Sequence, residues 1–334
     1  MIKREQFDNK TILSKLKEKC GPHIKLPSQI HFTATREGCN IHMPADCVCE
    51  NFQRDYAAFE GWALGLNAWL DYGVTLSWGE PPEHEDCHYQ RFLYRVIRFA
   101  NDIDWFDINK DCQELTSKSA VLLPDGASKE KPGYHVLNVQ MIDRRKKEAP
   151  DSKPLAEMTE EELEMYFFRN NKSLFSAAGI GSNSKPLRQI PVCLFKERLS
   201  RDTRVFTGTT SMIDLGALDE GGTIAIFELK KPGNVKVGAI TELLFYSNVL
   251  KDLQEGTFGY PPDIGKTEKQ IAQSKGIRAF ILADRLHPLL DNKRVFNVLN
   301  AIETEYGQEF GFIKYRETPK GIRCTREKFG KSID

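Results

Sequence analysis

The chain has 334 residues, of which 40% are hydrophobic and 28% charged, and its 47 basic and 47 acidic side chains leave no formal net charge. This length predicts about two domains, while the charge balance argues against a large surface for nonspecific polyanion binding and leaves room for a local basic groove. The sequence contains no run of about 18 apolar residues, so it predicts no membrane span. The start Met1–Asp8 also lacks the apolar stretch of a signal peptide. We therefore expect a cytoplasmic protein that does not enter a membrane.

Residues 1–147 predict an α+β domain of unknown role. Its predicted elements, in chain order, are a helix over Thr11–Glu18, strands over Gln29–Thr35 and Asn40–Met43, a helix over Glu50–Tyr72, a strand over Val74–Trp78, a helix over His88–Asn101, and strands over Ala120–Leu123 and His135–Ile142. Trp62 and Trp69 belong to an apolar stripe at helical spacing, which favours a place in the core over stacking on bases.

Arginines interleave with the apolar stripe of the second long helix. Arg91, Arg95 and Arg98 are expected to form a solvated flank, with contact to phosphates as the alternative. The same alternative applies to the basic run 144–147. Together with the proline-rich segment 148–158, that run predicts a domain boundary and a linker.

The chain contains eight cysteines. In a cytosolic protein we expect them to be reduced and partly buried. Cys39-x-x-His42 and Cys47-x-Cys49 are superficially similar to zinc motifs, but their spacings differ from the paired frames that hold structural zinc. Zinc therefore remains the less favoured alternative.

Residues 159–334 predict a second domain of the α/β class. Its predicted elements are a helix over 159–175, a strand over Ile190–Phe195, a hairpin of Met212–Leu218 and Thr223–Leu229, a helix over Val237–Leu253 with one face on the sheet, a strand over Ile277–Ala283, a helix over Asn292–Tyr306 and a strand over Phe310–Tyr315. This order predicts a mixed sheet flanked by helices. The polar segment Gly256–Lys275 is predicted to be a long loop that covers substrate.

Three ionisable residues mark the predicted hairpin, whose turn Asp219-Glu-Gly-Gly222 is typical of a tight connection. Glu228 and Lys230 lie two residues apart and share a face of their strand, and the partner strand brings Asp214 beside them. Burying these charges is costly unless they pair or hold a metal. We interpret the cluster as a functional site, with a solvated surface salt bridge as the alternative.

The chemistry of such a site follows from its ligands. Carboxylate and carbonyl oxygens suit Mg²⁺ or Mn²⁺, and the predicted ligands are Asp214, Glu228 and the carbonyl of Leu229. A bound metal acidifies a water molecule and neutralises charge at a phosphate. Lys230 would orient that water or stabilise the developing negative charge.

The pattern Ile213-Asp214 followed by Glu228-Leu229-Lys230 resembles the PD-(D/E)XK nuclease superfamily, with Ile213 in place of its proline. The stretch around it is similar to the branch that contains archaeal and actinobacterial mismatch and flap endonucleases. Over residues 157–316 the resemblance implies a restriction-endonuclease-like fold. It also implies an endonuclease dependent on Mg²⁺ or Mn²⁺ that hydrolyses nucleic acid, DNA before RNA, while the N-terminal domain chooses substrate or partner. A homodimer is compatible with it.

Members of that branch often carry a helix with an E-x-x-L-E pattern before the hairpin. Glu160, Leu163 and Glu164 match this pattern, and Thr159 with Glu162 predicts a capping box. The resemblance implies that Glu160 or Glu164 lends a carboxylate to the metal. An acidic first turn that faces solvent is an equal alternative.

The family's Gln-x-x-x-Tyr pattern is matched by Glu242 and Tyr246 on the helix after the hairpin. Glu242 replaces a neutral amide with a charge, so these two are auxiliary candidates. The alternative function is a catalytically inactive module of nuclease fold that binds nucleic acid or a protein partner. A third hypothesis is an N-terminal domain that senses a small ligand and gates the site.

Overall fold

The computed structural model describes residues 9–34, 38–121, 135–139, 153–206, 211–302 and 307–327. The predicted basic run 144–147 and the predicted loop Asp125–Gly133 lie outside these ranges, as do residues 148–152 of the predicted linker. We call the described residues up to 121 the N-terminal unit and those from 153 onward the C-terminal unit.

The N-terminal unit contains a four-stranded sheet. Its elements are α1 (Asn9–Cys20), β1 (His31–Ala34), β2 (Gly38–Met43), α2 (Ala45–Val48), a 3-10 turn (Asp55–Ala57), α3 (Phe59–Leu70), β3 (Gly73–Trp78), α4 (Cys87–Asp102), β4 (Phe106–Ile108) and α5 (Lys110–Thr116). The strand order is β1-β2-β3-β4, with β1 antiparallel and the others parallel. The helix predicted to begin at Glu50 begins at Phe59, and β4 and α5 were not predicted.

The C-terminal unit contains a six-stranded mixed sheet. Its elements are a 3-10 turn (Leu155–Glu157), α6 (Glu160–Arg169), α7 (Lys172–Ala178), β6 (Lys185–Pro191), β7 (Leu194–Lys196), a 3-10 turn (Arg201–Thr203), β8 (Met212–Leu218), β9 (Ile224–Leu229), α8 (Gly238–Gln254), α9 (Lys266–Ala272), β10 (Ile277–Ala283), α10 (Lys293–Asn300), β11 (Gln308–Thr318) and β12 (Gly321–Arg326); β5 (His135–Leu137) precedes it. The strand order is β12-β11-β10-β9-β8-β6. A mixed sheet flanked by helices is therefore confirmed.

Several predicted boundaries are wrong. The helix predicted over 159–175 is split into α6 and α7 by Asn170–Asn171, and the predicted loop Gly256–Lys275 contains α9. The strand predicted over Ile190–Phe195 is the end of β6 and the start of β7. β5 was predicted to close the N-terminal domain, but it pairs antiparallel with β7 because His135–Leu137 lie opposite Leu194–Lys196.

Alternation along β9 determines which side chains face which helix. Ile224 and Ile226 belong to the hydrophobic cluster on the α8 side of the sheet. Phe227 and Leu229 belong to the cluster formed with α6 and α7 on the opposite side. Because side chains alternate along a strand, Glu228 follows Ile226 onto the α8 side.

The helix α8 is buried on every side, with every residue from Gly238 to Leu253 buried. The prediction that one face packs on the sheet was incomplete, because α3 of the N-terminal unit packs against α8 as well. The main hydrophobic cluster includes Trp62 from one unit and Leu243 from the other. The predicted division into domains 1–147 and 159–334 stays a prediction.

In the described ranges, no helix combines the length and the apolar character needed to cross a bilayer. The predicted absence of a membrane span is consistent with this finding.

Gly61 on α3 permits the close approach of the two units. A Cβ atom at this position would lie 2.3 Å from Cγ1 and 2.9 Å from the carbonyl oxygen of Val237. We expect Gly61→Ala to lower the free energy of unfolding by about 1–3 kcal/mol, since overpacking forces backbone shifts. Gly73→Ala is the control, because its Cβ would meet only the Trp105 oxygen at 3.6 Å. Equal denaturant midpoints for the two variants would contradict the prediction.

Candidate metal and catalytic site

The end of the β8–β9 hairpin fixes Asp214. The two strands pair from Leu218 and Ile224 as far as Leu215 and Phe227. Beyond this last pair, the Leu229 amide donates to Oδ2 of Asp214 at 2.9 Å. The carboxylate thus takes the acceptor role that a backbone carbonyl has inside the ladder. Asp214 is held by the strand that carries Glu228 and leads into Lys230.

The Lys230 ammonium lies among carboxylates. Its Nζ is 2.5 Å from Oε1 of Glu228, 2.7 Å from Oε2 of Glu242 and 4.0 Å from Oε1 of Glu160. Glu228 and Lys230 are only 2% and 5% exposed, which excludes the alternative of a solvated surface salt bridge. The hydroxyl of Tyr315 donates to the Lys230 carbonyl at 2.6 Å and holds its backbone.

Burial and mutual repulsion shift the pKa values of the ionisable groups in this cluster. It raises the pKa of Asp214 to about 8, against the opposing effect of Lys230 and with a further rise from the Glu164 and Glu242 carboxylates. Burial, with Asp214 and Glu242, also raises the pKa of Glu228 well above its usual range. Burial alone would lower the pKa of Lys230, but the carboxylates around it raise that pKa well above its ordinary value. One ammonium does not neutralise the cluster.

A divalent cation fits the donor set. Oε2 of Glu228 is buried and has no hydrogen-bond partner among the residues that the structure describes, and a buried charged oxygen is costly when unsatisfied. Hard carboxylate oxygens suit Mg²⁺ and Mn²⁺. Within the described ranges, no group of three His, Cys, Asp or Glu side chains is arranged to hold a metal ion. At this site the ammonium of Lys230 lies between Glu228 and Glu242. A role for the Leu229 carbonyl stays a prediction.

The two candidate glutamates of α6 occupy different environments. The capping box is confirmed, with the Thr159 amide donating to Oε2 of Glu162 at 2.7 Å. Glu160 lines the cavity beside Lys230, and its side chain is 40% exposed. Glu164 is buried; it pairs with Arg188 and accepts a bond from the side-chain amide of Gln189 at 2.6 Å. Glu160 is thus the further carboxylate that faces the site, and Glu164 tethers β6.

Gln189 of β6 has a left-handed backbone, with φ at +53°. Its neighbours pair in register, Arg188 with Leu215 and Ile190 with Ile213, which places Gln189 opposite Asp214. This conformation is uncommon outside glycine and costs about 1–2 kcal/mol. It was not predicted, since a glutamine within a strand carries no sequence signal for it.

A cavity of about 730 Å³ opens beside the carboxylates and is lined by both units. Asp214, Glu228, Glu160, Glu242 and Tyr246 line one side of it. The other residues on its wall include Gln53, His88, Arg91 and Arg204, none of which was predicted to join the site. The auxiliary candidates Glu242 and Tyr246 thus face the same space as the predicted catalytic residues.

The loop Asn51–Asp55 of the N-terminal unit docks on the start of α8. The side-chain amide of Gln53 donates to Oε1 of Glu242 at 2.6 Å, and Oδ1 of Asp55 accepts from the Val237 amide at 3.1 Å. Gly238 permits this contact, since a Cβ there would lie 3.0 Å from the Gln53 carbonyl oxygen. The N-terminal unit therefore fixes the side chain of Glu242, the carboxylate that pairs with Lys230.

The three arginines of α4 are not a solvated flank. Arg95 forms a buried ion pair with Glu60, its Nε lying 2.7 Å from Oε1. Arg98 pairs with the fully buried Asp252. Arg91 lines the cavity. The prediction failed because the C-terminal unit and the loop before α3 cover this helix.

The cysteines and tryptophans have structural roles. The described cysteines are free thiols, and burial raises the pKa of Cys39 to about 12. His42 faces Ser77, with Nδ1 and Oγ 3.1 Å apart. The indole nitrogens of Trp62 and Trp69 donate to the carbonyls of Asp55 and Leu289. The indole contacts favour core packing over base stacking, and zinc binding by the cysteines stays the less favoured alternative.

Comparisons with protein-family models, with curated proteins and with solved structures find no match to this chain. The resemblance to PD-(D/E)XK nucleases therefore depends on the residue pattern alone.

The unpartnered oxygen of Glu228 yields a test of metal binding that needs no activity. We expect Glu228→Gln to raise the free energy of unfolding in EDTA by about 1 kcal/mol, because it removes a buried carboxylate while Glu242 still pairs with Lys230. MgCl₂ should stabilise the parent protein and not the variant. Glu220→Gln in the exposed hairpin turn is the control. A less stable variant that Mg²⁺ still stabilises would contradict the assignment.

Proposed function

We propose that the chain is a nuclease dependent on Mg²⁺ or Mn²⁺ that hydrolyses phosphodiester bonds in nucleic acid. DNA is favoured over RNA as its substrate. The observation that carries this proposal is the pair of carboxylates Asp214 and Glu228 in the lining of a cavity, with Lys230 paired to Glu228 behind that lining and one buried Glu228 oxygen lacking a hydrogen-bond partner among the described residues. The proximity of these residues in the structure supports the proposal more strongly than their pattern in the sequence does.

The order of elements supports a restriction-endonuclease-like core. Helix α6, strands β6, β8 and β9, helix α8 and strand β10 occur in this order along the chain, with α7, β7 and α9 between them. β6, β8 and β9 are antiparallel neighbours, and β10 lies parallel to β9. This matches the order on which the resemblance was based, and it puts Asp214 and Glu228 on adjacent strands.

The chain's own side chains have distinct tasks in the proposed reaction. Asp214 and Glu228 would hold the metal, with Glu160 as a further carboxylate in the lining of the same cavity. When bound, the metal supplies an acidified water and charge neutralisation at the phosphate. The Lys230 ammonium carries three donors, so it can hold the attacking water or a phosphate oxygen while it remains paired with Glu242. The Tyr315 hydroxyl holds the backbone of Lys230, and the Gln53 amide holds the side chain of Glu242.

The second candidate function is a nuclease-fold module that binds nucleic acid or a partner without cleavage. The contact between Glu242 and Lys230 favours it, since a carboxylate 2.7 Å from the ammonium competes with substrate for the same donors. Cleavage that requires a divalent ion separates the two functions.

Lys230→Met should reduce the rate of cleavage by about 10²–10⁴-fold, the usual contribution of a positioned proton-transfer or charge-stabilising group. Single-stranded and duplex DNA and RNA would be incubated with the full chain in MgCl₂, MnCl₂ or EDTA, and products separated by electrophoresis. Lys231→Met is the matched control, because the adjacent side chain is exposed.

Undiminished cleavage by a folded Lys230→Met variant would remove Lys230 from the mechanism. If the parent protein cleaves none of these substrates with either metal, the inactive binding module becomes the better assignment.

A further inference from the structure

The lining of the cavity includes cationic as well as acidic side chains. Arg91 and Arg204 both line it, together with Asp214, Glu228 and Glu242. Arg91 comes from the N-terminal unit, whereas Arg204 follows β7 in the C-terminal unit. The proposed reaction uses the carboxylates and Lys230 and assigns no task to either arginine.

Arg91 is held rigidly in this wall. It is 2% exposed, its guanidinium lies 3.9 Å from the ring centre of Phe52, and its Nη2 is 3.1 Å from Nδ1 of His88. Burial, with repulsion from Arg95, lowers the pKa of Arg91 to about 9, which leaves it charged at neutral pH. A guanidinium fixed by stacking loses little side-chain entropy when it binds an anion.

The backbone of Arg204 contacts the first turn of α4, the helix that carries Arg91. The Cys87 thiol contacts the Arg204 carbonyl, with Sγ 3.8 Å from the oxygen, and Cys87 lies four residues before Arg91 on the same helical face. Nε of Arg204 is buried, with no hydrogen-bond partner in the described part of the chain. A buried guanidinium nitrogen in this state can accept an anionic ligand at the cavity wall.

Other groups near this wall are already engaged. The Asp86 carboxylate accepts from the amides of His88 and Tyr89 and so caps α4. Those amides are therefore not free to bind a ligand. Burial and Arg91 lower the pKa of His88, so its ring adds no charge at neutral pH. The positive charge at the cavity comes from the two guanidinium groups.

We propose that Arg91 and Arg204 form a subsite for a phosphate group next to the one that is hydrolysed. Guanidinium forks match phosphate oxygens, and a cavity of about 730 Å³ is within the usual size of ligand sites. The substrate therefore carries at least two linked phosphates, as in a nucleic-acid strand or a nucleoside polyphosphate. This inference depends on the proposed function for the position of the first phosphate.

Binding without cleavage tests the subsite. Anisotropy of a short fluorescein-labelled DNA strand would be measured with the full chain in CaCl₂ at several salt concentrations. Arg204→Gln and Arg91→Gln should each weaken binding about tenfold or more, the usual effect of losing a charged hydrogen bond. Each should also reduce the slope of log affinity against log salt by about 0.7. Arg201→Gln is the control, because Arg201 is exposed and three residues away.

Arg91→Lys keeps the charge and loses the fork, so it should bind with intermediate affinity and covers the case in which Arg91→Gln does not fold. Unlabelled ADP distinguishes the two sources of linked phosphates: competition at micromolar concentration identifies a nucleoside polyphosphate, and competition by unlabelled strand alone identifies nucleic acid. Parental affinity and salt slope in both Arg204→Gln and Arg91→Lys would overturn the subsite. A parent protein that binds in this way and never cleaves would overturn only the proposed hydrolysis.

Discussion

The burial of an ammonium among several carboxylates is the interaction on which the rest of this structure depends. Asp214, Glu228 and Glu242 surround Lys230 in a place that water barely reaches. Such a cluster is unfavourable unless its geometry is fixed and its remaining donors and acceptors are satisfied. Contacts from the hairpin, from α8 and from the N-terminal loop hold these side chains in place. The fold and the site are therefore stabilised by the same contacts.

Local patterns were sufficient to predict the acidic cluster. Alternation along the hairpin, its Gly-Gly turn and the capping box of α6 all depend on residues a few positions apart, and the structure contains each of them. The pattern also predicted Glu160 and Glu164 equally, and only packing separates them. Glu164 pairs with Arg188 of β6, a neighbour that helical spacing does not reveal.

The contribution of the N-terminal unit was not predictable in this way. Gln53 and Glu242 are 189 residues apart, and neither lies in a motif that specifies the other. Arg91, Arg95 and Arg98 show the same difficulty. Their spacing indicates one face of a helix, but Arg91 lines a cavity, Arg95 forms a buried ion pair and Arg98 pairs with a buried aspartate. The balance of 47 basic and 47 acidic residues likewise conceals acidic and cationic side chains in the lining of one cavity.

The packing of α3 against α8 has a consequence for biosynthesis. Trp69 donates to the carbonyl of Leu289, 220 residues further along the chain. At about 5–20 residues per second, a ribosome needs roughly 11–44 seconds to make that intervening length. During this interval the apolar side of α3 lacks its native cover. The N-terminal unit therefore completes its native packing only after α8 and the segment around Leu289 have been made.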